Sequence, residues 1–89
     1  MPELSRFYGI VIRMYAEHGE SHHLPHFHAY YQGQQAVVSL QPLRLLEGQL
    51  STAQWRMVES WANLHQAELI ESWQLLQRGE RPARIEPLP

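Results

Sequence analysis

The sequence predicts an α+β domain: an antiparallel β-meander of three to four strands, followed by a kinked or broken C-terminal α-helical segment packed on one face. Two observations carry this. The first half of the chain alternates apolar and polar residues with period two and is rich in β-branched and aromatic side chains. After Gly48 the apolar spacing changes to the 3.6 period of an amphipathic helix.

RFYGIVIRMYA, residues 6–16, reads as one strong strand. Alternation puts Tyr8, Ile10, Ile12 and Met14 on one side and Phe7, Val11, Arg13 and Tyr15 on the other, the first side being the core side. EHGESHHL, residues 17–24, is polar and glycine-containing and reads as a loop. Pro25 marks a strand entry, where a missing amide donor is tolerated. A second strand runs from His26 to Gln32, QGQQ is a hairpin turn, and AVVSLQ is a third strand. After Pro42, LRLLEG is a short fourth strand or extended segment.

Ser51 and Gln54 have the spacing of a capping box, with Leu50 placed to staple against Trp55. A single helix from Thr52 to Gln77 would be about 39 Å long at 1.5 Å per residue, too long for so small a domain, so a break is expected between Asn63 and Gln66. His65 lies near the middle of the apolar arc and reads as a satisfied core or interface histidine. Gly79 is the helix stop. Residues 1–79 then form one domain, and residues 80–89, ERPARIEPLP, a proline-containing tail that is either extended along the body through Ile85 and Leu88 or frayed.

Composition excludes several classes of function. Eighty-nine residues suffice for one core, and with no cysteine there is neither a disulfide framework nor a thiol nucleophile. The N-terminal residues carry no signal-peptide pattern and no apolar run approaches a membrane span, which predicts a cytoplasmic protein. A net charge of −2 argues against nucleic acid as a broad contact. Every cation at neutral pH is an arginine and every anion a glutamate, which favours bidentate recognition.

SHHLPHFHAYY concentrates four of the six histidines within seven residues. If Phe27, Ala29 and Tyr31 turn inward, His26, His28 and Tyr30 turn outward together, beside Arg13 and Tyr15. Three readings of that face are open. In the first it is a polar outer surface or protein contact, with Arg13, Tyr15, His26, His28, Tyr30 and the helical Trp61 as binding residues. In the second, His22 or another loop histidine joins His26 and His28 on zinc or another transition metal that imidazole ligates. In the third, His26 and His28 are acid and base of a hydrolase and Arg13 holds a phosphodiester oxyanion. The first leads: a binding or regulatory module, not an enzyme, with no cofactor expected. Three tryptophans on one helical segment mean core first and an interface second.

SRFYGIVIRMY, PHFHAYY, LLEGQL ahead of a helix containing WANLHQAELIESW, and the closing RIEPL together resemble the small bacterial family catalogued as domain of unknown function 4160. The matching positions are Phe7, Gly9, Arg13, Pro25, His26, His28 and Glu47. The loop EHGESHHL departs from the shorter turn usual in that family, which sets His22 and His23 apart from His26 and His28. The resemblance implies a protein encoded beside another small protein, in some members within toxin–antitoxin-like gene pairs. The partner is then that neighbour's product or a second copy.

Overall fold

The structure is a computed structural model that describes residues 2–16 and 24–89. Five antiparallel strands, β1 (Glu3–Phe7), β2 (Ile10–Arg13), β3 (His26–Tyr31), β4 (Gln34–Leu40) and β5 (Leu43–Gly48), lie side by side in sequence order. Two helices follow, α1 (Thr52–Leu64) and α2 (Gln66–Gln77). The α+β class is as the sequence predicts, with five strands instead of three to four.

The extra strand comes from residues 6–16, which form a hairpin and not one continuous strand. Tyr8 and Gly9 have φ of 50° and 81°, the left-handed pair of a two-residue hairpin turn, and Phe7 pairs with Ile10 across it. Tyrosine is a strand former and rare at positive φ, so the turn is hidden from propensity. The face assignment changes with it: Tyr8 is 60% exposed at the turn and Phe7 is buried. Ile10, Ile12 and Met14 are buried as expected, and Val11, Arg13 and Tyr15 stay partly open. Gln32 and Gly33 repeat the same left-handed pair between β3 and β4, in the expected QGQQ turn.

Phe27, Ala29, Ile10, Ile12 and Val38 cover the inner sheet face, and α1 and α2 close it with Val58, Trp61, Ala62, Leu69 and Leu76. Phe27 meets Trp61 edge-on at 6.0 Å, and Phe7 meets the same ring at 5.4 Å. Trp61, expected among the binding residues, is instead a core residue with 0% exposure. Its Nε1–H donates to the Glu86 carbonyl at 2.8 Å, so both the ring and its polar tip are used inside the fold.

The capping box forms only in part. Ser51 occupies the N-cap position, but its hydroxyl donates to the Gln54 side-chain oxygen, and its backbone N–H donates to Gln34 Oε1 at 3.1 Å. A β4 side chain therefore does what Gln54 was expected to do. The helix breaks at His65 (φ −116°, ψ 25°), within the expected interval. A straight rod of about 39 Å would exceed the longest dimension of the molecule, 34 Å. Gln66 Nε2 anchors the break by donating to the Leu40 carbonyl at 2.6 Å, and His65 Nδ1 pairs with Glu68 at 2.6 Å. Gly79 ends α2 in a Schellman arrangement, with Glu80 N–H on the Leu75 carbonyl and Gly79 N–H on Leu76. The tail lies extended along the body: Ile85 is buried, Leu88 packs on the core, and Ile85 N–H donates to the Leu4 carbonyl at 2.7 Å.

Two glycines with similar φ separate backbone preference from packing. A Cβ on Gly48 would sit 2.1 Å from the Gln35 carbonyl oxygen, whereas one on Gly33 would meet nothing within 4 Å. Gly33→Ala is expected to cost about 1 kcal/mol from φ alone, and Gly48→Ala upwards of about 3 kcal/mol because β4 and β5 must also separate. Urea unfolding of the two variants measures the difference. On the same assay Trp61→Ala should lose about 3–5 kcal/mol, while Leu64→Ala, at a side chain 67% exposed, should stay within about 0.5 kcal/mol.

Candidate functional site

β2 and β3 pair Arg13 with His28 and Val11 with Tyr30, so these side chains stand opposite one another on the outer sheet face. Tyr15, just beyond β2, reaches Tyr30, and the two hydroxyls hydrogen-bond at 2.8 Å. Val11, Arg13, Tyr15 and Tyr30 line an open groove of about 340 Å³. The His28 ring packs beside two of these residues, edge-on to Tyr15 at 4.7 Å and parallel to Tyr30 at 6.3 Å.

The expected parity of β3 holds, since Phe27 and Ala29 are buried inward and the two imidazoles lie side by side, 5.5 Å apart. Solvent access differs from the expectation. His26 is 1% exposed, packed between His28 and the Trp73 ring of α2 at 5.0 Å. Its Nδ1 lies 2.7 Å from the Leu24 carbonyl, which can only accept, so that nitrogen carries the hydrogen. A satisfied polar atom makes the burial tolerable. The outer face is thus divided. Around His26 and its β4 neighbours Val37 and Ser39 it is closed, and around Val11, Arg13, Tyr15 and Tyr30 it is open.

One residue of this region has no signal in a period-two reading. The register slips at Leu4, which leaves Glu3 opposite Arg13 and on the same face as Arg6, three residues on. Glu3 accepts from Arg6 at 2.8 Å, pairs with Arg84 of the tail at 3.1 Å and has Arg13 at 4.0 Å. The Arg6 hydrogen bond is the largest influence on its carboxyl, partial desolvation opposes it, Arg84 adds to it, and the result is a fall from 4.5 to about 2. Three guanidinium groups around one carboxylate leave the Arg13 end of the groove positive.

Among the described residues no group of three or more His, Cys, Asp or Glu is placed to hold a metal ion. His22, a candidate ligand, and His18 and His23 lie outside the described residues. Among the described residues no helix is long and apolar enough to cross a membrane.

A family model described as Domain of unknown function (DUF4160) matches residues 9–74. The chain belongs to that family. The match spans β2 to most of α2 and includes Gly9, Arg13, Pro25, His26, His28 and Glu47, while Phe7 and the closing RIEPL fall outside it. No curated protein and no solved structure matches the chain.

The Glu3 cluster gives a pH dependence whose sign follows from the shift. A carboxyl lowered on folding adds stability above its unfolded value, and that stability is lost as pH falls through the folded one. The stability gap between the native chain and Glu3→Gln should therefore be full above pH 4.5 and close as pH falls to about 2. Urea titrations at several pH values across that window measure it. A gap that does not change with pH would mean that Glu3 contributes packing alone.

Proposed function

We propose that the chain is a small non-enzymatic binding module that engages another protein through the open half of its outer sheet face. The carrying observation is the groove of Val11, Arg13, Tyr15 and Tyr30, with His28 at its side. Tyrosine and arginine are the residue types that anchor protein interfaces, because they offer large, stiff contact area with a polar tip. Arg13 selects the chemistry of the occupant: a carboxylate side chain of the partner, held bidentately beside the paired tyrosine hydroxyls. The setting that the family resemblance suggests is a two-gene, toxin–antitoxin-like pair, with the partner encoded next door. In this reading His26 is a structural histidine that holds β3 against α2, and it is not one of two solvent-facing proton carriers.

The test uses the neighbouring gene product and the full chain. Arg13→Glu and Tyr30→Ala should each weaken the complex by about tenfold or more, with the circular dichroism of the free domain unchanged. Binding that survives both substitutions would overturn this surface. Elemental analysis of the untagged protein is expected to give well under one metal per chain. Near-stoichiometric zinc, nickel or iron that disappears in a His26→Ala, His28→Ala variant would establish the metal reading instead.

A further inference from the structure

The two edges of the sheet end differently. On the β1 side the C-terminal tail supplies a donor, from Ile85 to the Leu4 carbonyl. On the β5 side, no described backbone group other than those of β4 bonds to Leu43–Gly48. This strand carries neither proline nor lysine, and Leu45 is 42% exposed. An edge of that kind is a template for pairing.

The register of β5 points to its occupant. Val37 faces Glu47 and Val38 faces Leu45, so β5 holds one residue more than β4, Leu46. Ser39 faces Arg44. Val37 and Ser39 share the outer sheet face, being two apart, and so do their partners Glu47 and Arg44, although those are three apart. In a regular strand residues 44 and 47 would point to opposite faces. A two-fold axis perpendicular to a sheet preserves faces, and could not then set one against the other.

We infer that β5 pairs antiparallel with β5 of a second copy of this chain, with Arg44 of each copy opposite Glu47 of the other. In that register Leu45 opposes Leu46, Leu43 opposes Gly48, and both bulges coincide at the axis. A regular strand from another protein would lose register at Leu46, which is how a bulge ordinarily blunts an edge. A copy carrying the same bulge does not. Opposite charges placed across strands stabilise the pairing, whereas a slip that sets Arg44 on Arg44 is repulsive.

This interface is independent of the proposed partner surface, but it has a consequence for it. The two five-stranded sheets become one of ten strands, with both Arg13 grooves on the same face. Seven strand spacings separate the two β2 strands, or roughly 34 Å along the sheet at about 4.8 Å each. The assembled dimer would present two acceptor grooves to one side.

Sedimentation equilibrium of the full chain, from about 5 to 200 µM, is the test. A dimer is expected. Arg44→Glu or Glu47→Arg alone should weaken it about tenfold by placing like charges opposite, and the double reversal should restore it. A monomer at every concentration overturns the inference, as does a dimer indifferent to both single reversals, or one that the double reversal fails to rescue. Should a reversal unfold the chain, the absence of native cysteine allows a second measurement. An equimolar mixture of Arg44→Cys and Glu47→Cys chains, mildly oxidised, should cross-link in high yield. Failure of that mixture to cross-link more than either variant alone would equally overturn the register.

Discussion

Trp61 is the point at which the three parts of the molecule meet. Its ring receives Phe27 from the sheet and Phe7 from the first hairpin, and its indole N–H holds the Glu86 carbonyl of the tail. Burial of so large a side chain contributes several kcal/mol, and the buried N–H would cost a few if unpaired. Both terms fix β3 with Phe27 inward. The alternation of a strand then dictates that His26, His28 and Tyr30 occupy the outer face, beside Arg13. The composition of the candidate site is in this sense a by-product of packing on the opposite side of the sheet.

Two one-residue irregularities decide where the charges go. The slip at Leu4 brings Glu3 and Arg6 to one face, and the extra Leu46 does the same for Arg44 and Glu47. In each case a three-residue separation, which a regular strand would splay to opposite faces, becomes a neighbouring pair. At β1 the result is a carboxylate enclosed by three arginines and tied to the tail through Arg84. At β5 it is a neutral, self-complementary edge. One end of the sheet is thereby sealed within the chain, and the other is left suited to a copy of itself.

The outer face shows how similar residues acquire different roles. His26 and His28 are two residues apart on one strand, yet the first is enclosed by Trp73 and bonded to the Leu24 carbonyl while the second borders a groove. Enclosure by α2 makes His26 part of the scaffold. The aromatic series Trp73, His26, His28, Tyr15 runs from the helical layer to the groove in steps of 5.0, 5.5 and 4.7 Å between ring centroids.

Local rules were sufficient for much of this. Period-two alternation gave the inward and outward residues of β3 and most of β2, the Gln32–Gly33 turn followed from its residues, and helix length against domain size called for a break between Asn63 and Gln66, where His65 supplies it. These are one-dimensional patterns with a fixed physical period, and so the sequence displays them. The Tyr8–Gly9 turn was not legible, because tyrosine favours strands and only the pairing of Phe7 with Ile10 forces it to positive φ. Nor were the burial of His26 and the enclosure of Glu3, since each depends on segments distant in the chain: α2, the tail and a slipped register. Spacing along a chain encodes direction, which the sequence carries by itself. Enclosure depends on what arrives from elsewhere, and only the tertiary structure decides it.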